Sequence, residues 1–124
     1  MDITPLTPKG KPIIQRYGKG EFVISAKSWP HSVLITADGV QPWHISEQEQ
    51  LQTYDFSALI AALHGLEIFL LGTGVGPLII PTDVRQLFRA RKIALEVMDT
   101  GAACRTYNIL LSEGRLVGAA LLAV

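Results

Sequence analysis

The sequence predicts an α/β domain of three layers, with a mixed central sheet, a parallel crossover in the C-terminal half and an antiparallel hairpin layer from the N-terminal half. Two observations lead to this fold class. In the first half, apolar residues alternate with polar ones and glycines separate the runs, which is typical of strands with one covered face. In the second half, short apolar runs alternate with segments of helical period, which is the order of a strand–helix–strand crossover.

The length of 124 residues fits one domain, in which we expect residues 1–12 to be irregular. An apolar content of 48%, a charged content of 18% and a mean hydropathy of +0.30 indicate a packed core and exclude extensive disorder. Eleven basic and eleven acidic residues give a net charge of +0, so no whole-protein field attracts the chain to nucleic acid. The single cysteine, Cys104, cannot form an intramolecular disulfide, which indicates a reducing compartment.

The first residues show neither the apolar core of a signal peptide nor the arginine-rich pattern of a transit peptide. We therefore expect a cytoplasmic location. The most apolar stretch, residues 58–71, is interrupted by His64, Gly65 and Glu67, and it is shorter than the roughly 20 residues that a membrane-spanning helix needs. We expect no membrane span.

The N-terminal half predicts two hairpins. Residues 13–17 and 22–27 have the period of strands and flank a turn at Gly18 and Gly20. Residues 33–35 predict a third strand, and the Asp38-Gly39 turn returns the chain through 40–44, where Pro42 suits an edge position. The polar residues 46–54 predict a connection.

The C-terminal half begins with a helix that Asp55 can cap and that Gly65 can end, followed by a buried strand over 66–71. Thr82 and Asp83 open a second helix. Its inward residues are predicted to be Val84, Leu87 and Phe88.

The remaining elements are a strand, a helix and a strand. Residues 93–98 predict a second buried strand, Asp99 or Thr100 starts a third helix, and residues 116–124 close the chain as a strand. The stretch 118–124 is almost entirely apolar, so an uncovered edge there would favour a homo-oligomer.

Several segments of the second half resemble a known family: residues 70–74 (LLGTG), 96–100 (EVMDT), 102–110 (AACRTYNIL) and 113–115 (EGR). The family consists of small domains of unknown function. It includes bacterial and archaeal stand-alone proteins, an adipogenesis-associated animal protein and a mitochondrial assembly factor for respiratory complex I. The resemblance implies a compact α/β fold with a mixed sheet and a flanking antiparallel hairpin, and no established activity or cofactor. Because the chain lacks a mitochondrial presequence, the complex I role does not transfer directly.

The strongest positional clue to a site is the glycine-rich run at residues 72–76, directly after a buried strand, where ligands bind in open α/β sheets. The run fits neither the dinucleotide fingerprint nor the phosphate loop, and a sharp exit turn also explains it. If the two buried strands are neighbours, this run meets the start of the third helix, and a small anionic pocket results. The candidate ligand-binding residues are Gly72, Thr73, Gly74, Glu96, Thr100 and Arg105.

Glu96 is a carboxylate in a strand that we expect to be buried, pointing into a covered layer or a cleft. Arg105 is its candidate partner, either as a structural ion pair or as part of a site. Cys104, one turn into the third helix, is either a thiol activated by the helix dipole or an inert buried residue. The three histidines show no metal-ligand spacing, so we predict no metal.

Three residues are candidates for a partner surface: Trp43, Arg85 and Arg89. A tryptophan near a turn either locks a loop over the core or, where it is exposed, anchors an interface. The arginines belong to a basic stretch that is either a solvated face or a surface for an acidic protein. Without a nucleophile–base pair, the sequence favours a non-enzymatic protein-binding or assembly-type module with no cofactor. The alternative is a binding protein or enzyme for a small anionic compound at the site described above. A redox role of Cys104 is a third hypothesis.

Overall fold

The structure is a computed structural model that describes residues 1–3 and 10–124, and the statements below refer to these residues. The chain forms strands and helices in the following order: β1 Ile14–Gly18, β2 Glu21–Ile24, β3 Lys27–Trp29, β4 Val33–Thr36, β5 Gly39–Pro42, a 3-10 helix Gln48–Gln52, α1 Phe56–Ala62, β6 Ile68–Gly72, α2 Thr82–Ala90, β7 Ala94–Met98, α3 Thr100–Ser112 and β8 Val117–Leu121.

The central sheet has five strands in the order β5-β4-β8-β6-β7. Strand β8 pairs with β4 in antiparallel and with β6 in parallel orientation, and β6 pairs in parallel with β7. The predicted mixed sheet is therefore confirmed, as is the crossover in which α2 connects the neighbouring parallel strands β6 and β7.

Two apolar cores lie on opposite faces of the central sheet, because successive residues of a strand point to opposite sides. Phe69 and Leu71 of β6 pack with α1 and α2, whereas Ile68 and Leu70 pack with α3 and the first two strands. All five residues of β6 are buried, as the apolar run predicted. The three layers are thus α1 and α2, the five-stranded sheet, and α3 together with the small sheet.

The small sheet is a three-stranded antiparallel meander, β1-β2-β3. The prediction extended the second strand to Lys27, and the structure corrects this: Ser25 and Ala26 have φ of 48° and 70° and form a turn. Ala26 N–H donates to Gln15 Oε1 at 2.6 Å in this turn. Non-glycine residues rarely adopt positive φ, so the sequence pattern indicated neither this turn nor β3 after it.

Strand β8 lies at the centre of the sheet, with all five residues buried. The condition for self-association through an uncovered C-terminal edge is therefore not met, because β4 and β6 pair with both edges of β8. Gly118 permits this packing, since a Cβ there would lie 2.7 Å from Ile35 O.

Strand β7, in contrast, is an edge strand. It pairs only with β6 among the described residues, and Ala94 and Glu96 are exposed. The prediction of a strand buried on both faces is wrong here.

Helices α1, α2 and α3 begin at the predicted residues, and two of them have a side-chain cap. Asp55 Oδ1 accepts from Ser57 N–H at 3.0 Å, and Asp99 Oδ1 accepts from Ala102 N–H at 2.8 Å. The residue before α2 is Pro81, without a side-chain cap. Leu87 of α2 is 40% exposed, which corrects its predicted inward position.

The prediction that residues 1–12 are irregular falls largely on residues 4–9, which lie outside the described residues. Before them, Asp2 forms a single antiparallel bridge with Arg16, and the two side chains form an exposed ion pair at 2.7 Å. Over the described ranges, no helix is both long and apolar enough to cross a membrane.

Candidate functional site

The glycine-rich run begins where β6 ends, against α3. A Cβ at Gly72 would lie 3.0 Å from Leu121 Cδ2 and 3.1 Å from both Cα and Oγ1 of Thr100. Glycine is required here because the end of the strand touches the first residue of the helix. The backbone bends onward through Gly74, which has φ of 95°.

The two segments that the sequence predicts to meet do meet. Thr73 N–H donates to Met98 O at 2.9 Å, which places the end of β6 beside the end of β7. Gly74 N–H donates to Thr100 Oγ1 and Thr100 N–H donates to Gly74 O, both at 2.9 Å. The N–H and carbonyl of Gly74 and the N–H and hydroxyl of Thr100, which were to line the predicted pocket, are therefore bonded to one another.

Two hydroxyls complete this network, and both belong to residues with 0% exposure. Thr100 Oγ1 donates to Leu122 O at 2.8 Å, and Thr73 Oγ1 donates to Gly76 O at 2.8 Å. Because the N–H groups of Thr100 and Ala102 also bond within the chain, to Gly74 O and Asp99 Oδ1, an anion here would have to displace hydrogen bonds that the chain already makes. The arrangement joins β6, β7, α3 and the residues after β8.

Gln48 is a part of this site that the sequence interpretation missed. Its Nε2 donates to Thr73 O at 2.7 Å and to Gly76 O at 2.8 Å, across 25 and 28 positions of the chain. Gln48 lies in the 3-10 helix within the stretch predicted as a polar connection. One glutamine among several polar residues gives no signal of such a long-range contact.

Glu96 and Arg105 do not form the expected pair. Glu96 is exposed, on the face of β7 opposite to the buried Leu95, so the expectation of a buried carboxylate is wrong. Arg105 Nη1 instead donates to Tyr17 Oη at 2.6 Å and links α3 to the small sheet. Of the six candidate ligand-binding residues, the structure brings together Gly72, Thr73, Gly74 and Thr100 only.

Cys104 lies in the core between α3 and the sheet, with 0% exposure. Burial raises the pKa of its thiol to about 12, and the positive charge of Arg105 offsets this only partly. An accessible thiolate is required for redox or nucleophilic chemistry. The structure therefore favours the inert interpretation.

The candidate partner residues divide into two groups. Trp43 is 3% exposed and packs edge-to-face against Tyr54 at a centroid distance of 5.5 Å, so it cannot act as an exposed anchor. This corrects the prediction: the tryptophan covers the core beside the 3-10 helix. Arg85 and Arg89 are exposed on α2, as a partner surface requires.

Two exposed aliphatic residues were not singled out from the sequence. Val75 is 89% exposed and Ile79 is 91% exposed, four positions apart in the loop between β6 and α2. Their neighbour Ile80 is buried at 4% exposure. The sequence signal for exposure was that the aliphatic residues 78–80 lie between Gly76-Pro77 and Pro81. Turn residues of this kind indicate a loop, and loops lie at the surface.

Comparison with families shows that residues 14–122 match a profile described as protein of unknown function (DUF498/DUF598). An uncharacterized protein of Rhodobacter capsulatus is 36% identical over 110 residues, which is 88% of this chain and 82% of that protein.

The NADH dehydrogenase [ubiquinone] 1 alpha subcomplex assembly factor 3 of Homo sapiens is 32% identical over 109 residues. The match covers 88% of this chain and 59% of the human protein, so the chain spans about three fifths of the length of that relative. Among solved structures, an outer membrane protein from Bartonella henselae superimposes with a TM-score of 0.77 at 32% identity, over 96% of this chain and 99% of that one.

Proposed function

Since the chain belongs to the DUF498/DUF598 family of proteins of unknown function, we propose that it acts as a non-enzymatic protein-binding module of the assembly type. The observation that carries this proposal is the exposure of Val75 and Ile79, at 89% and 91%. Large aliphatic side chains that are almost fully exposed cost free energy in water, and an interface removes that cost.

The base of this loop is fixed, which suits it to binding. Thr73 and Gly76 are both held by the amide of Gln48, and Gly74 is held by Thr100. A preorganised loop loses little conformational entropy when a partner covers it, so more of the apolar contact appears as affinity. The apolar side chains are thus presented on a rigid platform.

The relatives support the same class of function. The human relative is named as an assembly factor, and an assembly factor acts by binding other proteins. We propose that this chain also binds protein partners. We do not propose nucleic acid as a partner, because the charges of eleven basic and eleven acidic residues balance and nucleic-acid binding depends on an excess of positive charge.

The test compares two double variants in the full chain. Val75→Ser with Ile79→Ser removes the proposed anchors, and Ile109→Ser with Leu116→Ser removes two residues of 57% and 52% exposure elsewhere. Proteins captured from source-cell lysate by the wild type are quantified by mass spectrometry. We expect the first pair to reduce capture of specific partners at least about tenfold, and the control pair to leave it unchanged.

Urea unfolding of both double variants establishes that they fold equally well. Equal capture by the two variants contradicts the proposal, as does the absence of any protein enriched over bare resin.

We also propose the cytoplasm as the location, because the single cysteine is kept as a free thiol in the core. Fractionation of the source cells tests this, and recovery of the chain with the membrane pellet after a salt wash contradicts it. A homo-oligomer stays a prediction, which light scattering of the purified chain tests.

A further inference from the structure

Strand β7 has one edge without a partner among the described residues. In a parallel ladder, alternate residues bond to the neighbouring strand: Ala94 N–H donates to Glu67 O, and Met98 O accepts from Thr73 N–H, both at 2.9 Å. The backbone groups of Leu95 and Val97 therefore point away from the sheet. Such a row of N–H and C=O groups can pair with an added strand.

A positively charged groove lies beside the first two residues of this edge, Ala94 and Leu95. Arg85 and Arg89 of α2, together with Lys92, line a cavity of about 410 Å³ beside Ala94 and Leu95. Arg85 Nη1 donates to the outward carbonyl of Leu95 at 3.5 Å, so the guanidinium stands at the edge of the sheet. An added strand would replace this long hydrogen bond with one from its own backbone.

The acidic residue in this groove is already neutralised. Glu67 also lines it, but the carboxylate of Glu67 accepts from Arg115 Nε at 2.7 Å. Three cations therefore face solvent beside an open strand edge, in a chain whose total formal charge is +0. A negatively charged occupant complements this distribution.

The two faces of β7 differ in charge. The side chain of Leu95 belongs to the core under α2, and the exposed carboxylate of Glu96 lies on the opposite face. An added strand would present alternate side chains to the two faces. The side that meets α2 faces Arg85 and Arg89, and the other side lies next to Glu96.

We propose that β7 is a docking edge for an extended acidic segment of a protein partner. The segment adds as a sixth strand, with Asp or Glu at alternate positions toward Arg85 and Arg89 and neutral or basic residues beside Glu96. This inference rests on the proposed protein-binding function and specifies the chemistry of the partner.

Charge selects this occupant over a second copy of the chain. Two β7 edges paired antiparallel about a two-fold axis would form a continuous sheet with both α2 helices on the same face. Arg85 and Arg89 of one copy would then face the same cations of the other. Like charges at a junction of this kind are unfavourable.

The experiment is a titration of the full chain, labelled with nitrogen-15, with a capped peptide of about seven residues in which Glu and Thr alternate. We expect saturable shifts of the Leu95 and Val97 amide resonances, because their N–H groups gain acceptors. The same peptide with Lys in place of Glu is expected not to bind. Absence of binding at about 2 mM peptide overturns the inference.

Two sets of variants locate the binding. We expect Arg85→Glu with Arg89→Glu to weaken binding at least about tenfold, while Lys11→Glu with Lys27→Glu makes the same change in net charge without effect. Val97→Pro removes an N–H that faces outward, which an edge strand tolerates, and is expected to abolish binding. Should Val97→Pro not fold, the charge variants decide alone.

Equal affinity of the two charge variants for the peptide overturns the inference. A lower molar mass in solution for Val97→Pro than for the wild type also overturns it, because this result would identify a second copy of the chain as the occupant of the β7 edge. The proposed function is judged separately, by the capture assay. Capture that depends on Val75 and Ile79, without peptide binding at β7, contradicts this inference and leaves the proposed function standing.

Discussion

Gly74 and Thr100 are bonded to each other twice, although 26 positions separate them. The N–H of Gly74 donates to the hydroxyl of Thr100, and the N–H of Thr100 donates to the carbonyl of Gly74, each at 2.9 Å. The hydroxyl also donates to Leu122 O at 2.8 Å. One threonine side chain therefore connects the loop after β6, the start of α3 and the residues after β8.

Replacing Thr100 with Val is expected to lower the free energy of unfolding by about 2–3 kcal/mol. Valine preserves the shape but leaves buried Gly74 N–H and Leu122 O without their partner. Urea unfolding measures the change. The control is Thr100→Ser, which keeps the hydroxyl and is expected to cost about 1 kcal/mol for the lost methyl group. Equal losses in the two variants would show that the hydroxyl contributes nothing.

Replacing Gly72 with Ala is expected to destabilise the fold by about 1–3 kcal/mol, because the added Cβ would lie 3.0–3.1 Å from Leu121 and Thr100. Gly76→Ala is the matched control, since a Cβ at Gly76 meets nothing within 4 Å. Thermal unfolding of both variants checks this. A Gly72→Ala protein as stable as Gly76→Ala would mean that α3 can move away from the strand.

Replacing Asp99 with Ala is expected to cost about 1 kcal/mol, because the carboxylate caps α3 through Ala102 N–H at 2.8 Å. Asp83→Ala is the comparison, since Asp83 lies in the first turn of α2 without a capping role. Its loss is expected to be smaller, limited to the interaction with the helix dipole. Chemical unfolding measures the loss of stability in the two variants. A larger loss for Asp83→Ala than for Asp99→Ala contradicts the assignment of Asp99 as the cap.

Cys104 is expected to be inert toward iodoacetamide at pH 8 in the native chain and to react once the chain is unfolded. Burial raises the pKa of its thiol from 9.0 to about 12, so the folded state retains a proton that the unfolded state releases. The contribution of this group to stability is complete below pH 9 and is lost as the pH rises toward 12. Cys104→Ala should therefore show a shallower fall of the unfolding free energy across that range. Labelling of the native thiol at the rate of a free cysteine would contradict the burial.

Local signals predicted much of the fold. Asp55 and Asp99 were identified as helix caps because a carboxylate before an apolar helical run satisfies free N–H groups. The meeting of Thr73 and Gly74 with Thr100 followed from the rule that parallel strands connected by a crossover end at the same side of the sheet.

The remaining features depend on tertiary structure. An apolar run around Glu96 predicts a strand, but strand periodicity does not tell whether a layer covers each face of it. In the same way, the apolar run of β8 was compatible with an edge or a central position, and strand order decided between them. Gln48 and Trp43 show the same limit, because their surroundings come from segments distant in the chain.

The central position of β8 also sets the order in which the molecule can be completed during synthesis. The β4–β5 hairpin and the β6–α2–β7 unit emerge from the ribosome before β8, and β8 is the strand that joins them. Its pairing of Val33 with Leu121 joins residues 88 positions apart, so the nascent polypeptide carries two sheet fragments with open edges until β8 has emerged. Until β8 joins them, the unpaired edges of both fragments are open to pairing with other chains.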